Sequence, residues 1–192
     1  MVHSKAKVIY TIIVFIALAA FDNIIIGLFP PLFRYIAKDL DVGIAKLGTV
    51  SAINILVTAL SSLYWGYLSG KHRRKNLIII GTLIWVVSVF LTAASQNFIQ
   101  LLLFQILTGV GLGCIASIGF SILTDYIPHH KRGLVLSLWG MAQGLGGILG
   151  SLMASLTATG TSWRWPFEIV GFIGLFLIIL YFFVEEPPRG QS

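Results

Sequence analysis

Charged side chains are scarce in this sequence. Asp, Glu, Lys and Arg make up only 10% of its 192 residues, while 57% are hydrophobic, and the mean hydropathy is +0.92. Apolar runs of about 18 residues or more recur along the whole chain, and a water-soluble core has no room for that much apolar surface. The shortage of charge therefore excludes a soluble globular protein and predicts an integral membrane protein.

Reactive and metal-binding side chains are equally rare where the chain is apolar. The single cysteine, Cys114, excludes an internal disulfide framework. All four histidines lie outside the apolar runs, at positions 3, 72, 129 and 130. These runs contain no metal-ligand cluster, phosphate-binding loop, channel-filter sequence or nucleophile with a neighbouring base. We therefore expect no enzyme activity, no cofactor and no metal site.

Proline is confined to the ends of the apolar runs, which helps to place the helices. All six prolines lie at such ends, where a missing backbone N–H costs little. The runs predict six transmembrane helices, each near the ~20 residues that cross ~30 Å of hydrocarbon, at about residues 8–29, 46–69, 76–94, 98–123, 134–158 and 165–184. Residues 31–40 predict a short interfacial helix. The expected fold is all-α, with residues 1–192 as one polytopic six-helix domain.

Positive charge is concentrated on one side of the predicted helices. Nine of the thirteen Lys and Arg residues lie at the N-terminus, in the 70–76 and 125–133 loops or in the C-terminal tail, and four lie on the other side. Because Lys and Arg favour the cytoplasmic side, this bias predicts that both termini are cytoplasmic. The short basic clusters indicate lipid headgroups rather than nucleic acid as counterions. We expect the protein in the plasma membrane.

Polar side chains within the spans are few and unevenly placed. The first span carries Asp22 and Asn23, and the second, fourth and fifth carry Asn54, Gln105 and Gln143 respectively. The third and sixth spans have few strongly polar groups. We therefore expect the first, second, fourth and fifth helices to surround a substrate site and the third and sixth to face lipid. This order is typical of two three-helix units related as an inverted repeat.

Glycines recur about one helical turn apart in the fourth and fifth spans. Gly109 and Gly113 lie in the fourth span, and Gly144, Gly147 and Gly150 in the fifth. Small residues on one face let two membrane helices approach closely. These positions are therefore predicted to pack helices together.

Asp22, an acid within the first predicted span, is the single residue that most strongly suggests a function. A charged carboxylate in the middle of the bilayer costs about 2.5 to 3.5 kcal/mol, so it is expected to face a cavity, find a partner or stay protonated. One interpretation is a proton-coupling site or a counter-ion for a cationic substrate. The other is a structural acid hydrogen-bonded to Asn23 or a neighbouring helix. Asn54, Gln105 and Gln143 are likewise either substrate contacts or hydrogen bonds between helices.

Several short segments resemble one transporter family. The segment GYLSGKHRRK, residues 66–75, resembles the loop between the second and third helices of the major facilitator superfamily, usually written G-x-L-[AS]-D-[RK]-x-G-[RK]-[RK]. Gly70 replaces the acid of that motif, and Arg73 replaces its second glycine. WRWPF at 163–167 resembles the entry to the sixth helix. The fifth helix resembles the antiporter signature at Gly146, Gly150, Ala154 and Ser155, and EEPPRG at 185–190 is similar to the end of spinster-like members.

The resemblance implies the N-terminal six-helix half of a twelve-helix secondary transporter, which moves a small organic or amphipathic solute by alternating access. The cytoplasmic gate loop of the family then corresponds to Gly66, Ser69, Gly70, Lys71, Arg74, Lys75, Asp125 and Arg132. In that loop Arg74 or Lys75 is expected to pair with Asp125. The missing acid at Gly70 removes one anchor to the other half. Gln105 stands about where the family often has Arg.

A second six-helix half is implied as a partner, besides the bilayer and the substrate. It is a continuation of the chain, a separate subunit or a second copy. We expect Asp22, Asn54, Gln105 and Gln143 to share the open face that it covers, because unpaired polar groups in lipid cost several kcal/mol each. The alternative is a structural or regulatory six-helix membrane protein without transport, or a transporter fragment, which the departures from the family motifs favour.

The cation bias makes a prediction about loop labelling. Single cysteines in the 70–76 and 125–133 loops should react with an impermeant maleimide only from the cytoplasmic side, and one near Gln96 only from outside. Nine of the thirteen cations lie on the same side of the predicted helices as these two loops. Right-side-out and inverted vesicles supply the two measurements. Cytoplasmic labelling near Gln96 would contradict the orientation.

Overall fold

The structure is a computed structural model that describes residues 5–119, 121–122, 132–157 and 162–184. Within these ranges there are helices and no strands. The seven described α-helices are α1 Lys5–Leu28, α2 Phe33–Asp39, α3 Ile44–Lys71, α4 Arg74–Ala93, α5 Phe98–Cys114, α6 Arg132–Thr157 and α7 Trp165–Phe182. Six of them are long and apolar enough to cross a membrane, and α1 runs on through the turn Pro30–Leu32 into the short α2. The predicted all-α fold with six spans is confirmed.

The helix ends follow local chemistry. The Oδ1 atom of Asn97 accepts a hydrogen bond from the backbone N–H of Gln100 at 2.9 Å and caps the start of α5. Pro166 lies in the first turn of α7, where it displaces no helical hydrogen bond. The end of α5 continues as a π-helical turn, Ile115–Gly119. The described helix ends lie within three residues of the predicted ones, and the predicted end of the fourth span, at residue 123, lies outside the described residues.

The helices pack in an order that leaves two of them at the ends of an arc. The contacts run from α6 to α1, from α1 to α7, from α7 to α4, from α4 to α5 and from α5 to α3. Only 17% of the apolar window of α3 and 28% of that of α6 are buried, against 56% for α4 and for the span that contains α5. The most exposed helices are therefore α3 and α6.

The third span, α4, is less peripheral than its composition predicted. It exposes Ile80 and Val87, but Thr82, Ser88 and Thr92 are buried. The Ser88 and Thr92 hydroxyls donate to carbonyl oxygens of α4 itself, those of Trp85 and Ser88, both at 2.8 Å. Because hydroxyls can be satisfied inside their own helix, they reach the interior of the bundle without marking a span as polar.

The α1–α6 interface depends on glycines that leave no room for a side chain. A Cβ at Gly146 would overlap the carbonyl oxygen of Ala20, and one at Gly150 would overlap that of Ile24. The Ser151 hydroxyl donates to the carbonyl oxygen of Gly27 at 2.9 Å across the same contact. Small residues thus bring two backbones together, as is common in membrane bundles.

The α3–α5 interface is built in the same way. A Cβ at Gly109 would lie 2.7 Å from the carbonyl oxygen of Asn54, and one at Gly113 would lie 2.7 Å from that of Thr58. A Cβ at Gly144 or Gly147, by contrast, would meet nothing within 4 Å. The structure therefore places Gly109, Gly113 and Gly150 at close helix contacts, whereas Gly144 and Gly147 present their Cα hydrogens to an open side of α6.

A polar clamp joins three elements at the end of the bundle opposite the 70–76 loop. The Nε1 atom of Trp163 donates to Oδ2 of Asp39 at 3.0 Å, and Nη1 of Arg164 donates to the same oxygen at 2.7 Å. The Nη2 atom of Arg164 donates to the carbonyl oxygen of Ser95 at 2.9 Å. The end of α2, the end of α4 and the start of α7 are therefore tied to one another.

Two glycines on α6 give a matched test of this packing. Gly146→Leu should destabilise the fold by about 1–3 kcal/mol, because its side chain must displace the α1 backbone, whereas Gly144→Leu should change stability by less than about 0.5 kcal/mol. Thermal unfolding in one detergent measures both. Equal losses in the two variants would contradict the close approach at Gly146.

Candidate functional site

Two buried amides connect α3 to α5. The Nδ2 atom of Asn54 donates to the backbone oxygen of Gln105 at 2.6 Å and to its Oε1 atom at 3.3 Å. Asn54 is 6% exposed and Gln105 is 3% exposed. Gly109 lies one turn beyond Gln105 on α5, and its lack of a side chain lets α3 approach closely enough for this pair.

The amide pair continues into a row of hydroxyls between α4 and α5. The Nε2 atom of Gln105 donates to Oγ1 of Thr92 at 3.3 Å. One turn away, the hydroxyls of Ser88 and Thr108 share a hydrogen bond of 2.9 Å. All of these groups are uncharged and buried. Sequence reasoning missed the three hydroxyls because single Ser and Thr residues are common in membrane helices and carry no strong signal.

A small cavity lies beside the amide pair. Its volume is about 70 Å³, and it is lined by Ile25, Ile26, Phe29, Pro30, Ser51, Asn54, Ile55 and Gln105. The residues come from α1 and the turn that follows it, from α3 and from α5, and three of them are polar. The space corresponds to about two water molecules at ~30 Å³ each. The structure therefore brings Asn54 and Gln105 together at a cavity and adds Ser51, which the sequence did not single out.

Asp22 does not line this cavity. Its side chain is 5% exposed, and its Oδ1 atom has no hydrogen-bond partner among the described residues. Asn23 does not supply one, since its Nδ2 atom donates to the carbonyl oxygen of Ala19 at 2.9 Å. Asn23 packs at Gly146, near the middle of the 26-residue α6, so the acid lies deep in the bundle.

The expectation that four polar side chains share an open face is wrong for three of them. Asp22, Asn54 and Gln105 are each at most 6% exposed within this six-helix unit. Only Gln143 on α6 is partly exposed. Asn54 and Gln105 are removed from the surface because they hydrogen-bond to each other between helices, and Asp22 is buried inside the bundle on α1.

The open side of α6 carries a shallow groove instead. It has a volume of about 460 Å³ and is lined by Gly144, Gly147, Ile148, Ser151, Leu152 and Ser155. Its lining combines glycine and serine with the branched side chains of Ile148 and Leu152. This surface is separate from the cavity beside Asn54, because α6 packs mainly on α1.

The 66–75 loop is held by its lysines at the other end of the bundle. Lys71 contacts the Tyr67 hydroxyl and lies 4.4 Å from the centre of that ring. The Nζ atom of Lys75 donates to the carbonyl oxygen of Phe182 at 2.6 Å, at the end of α7. The Ser69 hydroxyl donates to the carbonyl oxygen of Gly66 at 2.7 Å. A cation at a helix C-terminus is favourable. The contact of Lys75 with the end of α7 was not predicted from the sequence.

Asp125, the predicted acid of the gate loop, lies outside the described residues. The described part of the chain includes Gly70 near the end of α3, Arg74 at the start of α4 and Arg132 at the start of α6. These positions bring both predicted cationic segments to the same end of the bundle, on the side of the 70–76 loop.

Comparison with known proteins gives a consistent result. The family model described as Major Facilitator Superfamily matches residues 11–192. Multidrug resistance protein 3 of Bacillus subtilis is 29% identical over 192 residues, which is 98% of this chain and 37% of the relative. The Sphingosine-1-phosphate transporter SPNS2 of Danio rerio is 28% identical over 163 residues, which is 82% of this chain and 32% of the relative.

A solved structure has the same fold. It is that of a bacterial homologue of the human lysosomal transporter spinster, in an inward-facing and occupied conformation, with a TM-score of 0.90 and 21% sequence identity. The match covers 98% of this chain and 47% of the solved one. The chain thus spans about a third of the length of these curated relatives and about half of the solved structure.

Proposed function

This chain belongs to the Major Facilitator Superfamily, and we propose that it forms one six-helix half of a secondary active transporter that works by alternating access. The observation that carries the proposal is the match of nearly the whole chain to 47% of a transporter structure with a TM-score of 0.90. Members of the superfamily are transporters, which agrees with the prediction that the chain is not an enzyme.

The proposed substrate is a small organic or amphipathic solute. The cavity beside Asn54 combines three polar side chains with five apolar residues, a mixture that suits a molecule with a polar end and an apolar body. The names of two relatives, a multidrug resistance protein and a sphingosine-1-phosphate transporter, refer to molecules of several chemical kinds. They support a broad class of solute rather than one compound.

Asp22 is the proposed site of proton coupling. It is a buried acid with one carboxylate oxygen unpartnered among the described residues. Its protonated form therefore has the lower free energy in the membrane interior. The amides Asn54, Gln105 and Gln143 do not titrate and cannot take this role. The counter-ion role for a cationic solute needs the same carboxylate in its charged form.

The proposed cytoplasmic gate uses Arg74 and Asp125. Lys75 donates to the end of α7, so we assign Arg74 as the cation that faces the acid after the fourth span. With Gly70 in place of the family's acid, the loop has fewer anchors to the second half. We therefore expect the balance between inward and outward access to depend on Arg74 more than on the other loop cations.

The proposed second half covers α3 and α6. These helices end the arc and are the least buried, and the groove of α6 offers glycine and serine for close helix contact. The second half is a continuation of the chain, a separate subunit or another copy. A two-fold dimer about the membrane normal would pair α3 with α6.

Removing the charge of Asp22 tests the proposed coupling. Asp22→Asn keeps the shape of the side chain, so the protein should insert normally but lose the dependence of transport on a pH gradient. Glu168→Gln, in the first turn of α7, removes an acid at the end of the bundle that carries the polar clamp and should keep that dependence. Uptake of ethidium and of a fluorescent lysolipid into proteoliposomes, with and without the gradient, gives the measurement. Unchanged coupling in Asp22→Asn would make Asp22 a structural acid, and no uptake by any variant would favour a protein without transport.

Cysteine crosslinking tests the second half. Asn54 is too buried to report on a partner, but Leu60 on α3 and Ile148 on α6 are 59% and 64% exposed. Cysteines at these two positions should crosslink to the partner half, or to each other in a two-copy dimer, and native mass spectrometry from lipid should show the assembly. A cysteine at Val87 on α4 serves as the control. A 192-residue monomer with full transport activity would refute the proposal.

A further inference from the structure

Ser51 differs from the other serine and threonine residues of α3. The remaining ones each donate to a carbonyl oxygen about one turn back, and they are Thr49, Thr58, Ser61, Ser62 and Ser69. This is the usual way for a hydroxyl to be satisfied in a membrane helix. The Ser51 oxygen is buried and makes no hydrogen bond to the described residues. Ser51 is one of the residues that line the 70 Å³ cavity.

The two amides of the cavity also have hydrogen-bonding capacity left over. The Nδ2 atom of Asn54 is engaged by Gln105, while the Oδ1 atom accepts nothing from the described part of the chain. The Nε2 atom of Gln105 makes one hydrogen bond, to Thr92, and carries a second N–H. Together with the Ser51 hydroxyl, the cavity offers donors and acceptors of both kinds.

None of the eight residues that line the cavity is charged. A charged group placed there would lose its hydration without gaining a counter-charge, which is strongly unfavourable. An uncharged group with donors and acceptors would satisfy the Ser51 hydroxyl and the amides at once. The apolar residues Ile25, Ile26 and Ile55 lie beside these polar atoms, where a hydrocarbon chain attached to the group would be covered.

We propose that this cavity binds the uncharged hydrogen-bonding end, a hydroxyl or a carboxamide, of an amphipathic molecule, with Ser51, Asn54 and Gln105 as its ligands. The role of the cavity in transport rests on the proposed function, but the binding itself does not need a transport cycle. The charge of a solute would be recognised elsewhere, since Asp22 is not part of this wall.

Labelling protection with four amphiphiles of equal chain length tests the proposal. The reporter is Ile55→Cys, at the rim of the cavity, in a protein whose buried Cys114 is replaced by alanine. Decanamide and 1-decanol should slow the reaction of this cysteine with methyl methanethiosulfonate about five-fold or more in nanodiscs. Decyltrimethylammonium and decanesulfonate should have no such effect. A second reporter, Ile26→Cys on α1, keeps the test valid where the first variant folds poorly.

A variant pair identifies the ligand. Ser51→Ala should raise the decanamide concentration needed for protection by roughly 2- to 10-fold, as expected for the loss of one hydrogen bond. Ser62→Ala, whose hydroxyl serves only its own helix, should leave that concentration unchanged. Equal effects of these two substitutions would overturn the assignment of Ser51.

The remaining outcomes also decide the matter. Equal protection by all four amphiphiles, protection by the ammonium compound alone, or no protection at all would each overturn the inference. Selective protection in a protein that transports nothing would uphold it and refute the proposed function. Transport without selective protection would overturn the inference and uphold the proposed function.

Discussion

Lipid hydrocarbon offers no hydrogen-bond partner, and the interfaces of this bundle reflect that constraint. The indole of Trp65 donates to the carbonyl oxygen of Val110 at 2.8 Å, and the Asn54 amide donates to Gln105, so polar groups join α3 to α5 at two levels. Most serine and threonine hydroxyls bond to their own helix. Because most of the polar groups between the described helices are satisfied inside the bundle, they leave much of the close packing to small residues.

Close approach of backbones is the second consequence. Without a hydrophobic driving force between helices in lipid, contact area must come from helices that touch at the backbone, and glycine allows this. The α1–α6 contact at Gly146 and Gly150 and the α3–α5 contact at Gly109 and Gly113 are of this kind. Each of the two outermost helices is thus held by one inner neighbour, and the remainder of its surface stays open.

The sequence predicted the number of helices, their approximate ends and the family, because hydropathy and proline placement act locally along the chain. It predicted Asn54 and Gln105 as polar positions of interest, but not that they meet. That contact depends on the relative rotation of α3 and α5. Gly109 permits the close approach of the two helices, but no local sequence pattern predicts their rotation. Ser51 was missed for a related reason. Its hydroxyl is unusual only because it lacks the common bond to its own helix, and no sequence pattern distinguishes it from Ser61 or Ser62.

The buried acid Asp22 does not line the neutral cavity, but α1 carries Asp22 and also contributes residues to the cavity wall. Ile25 and Ile26 line the cavity, and Asp22 precedes them by three and four residues, so the carboxyl is one helical turn from that wall on the same side of α1. A change of charge at Asp22 alters the cost of keeping this part of α1 buried. The same segment sets the position of the apolar wall against Ser51 and Asn54. The proposed proton coupling at Asp22 and the proposed binding at the cavity therefore need no long pathway between them, since one turn of one helix connects the two.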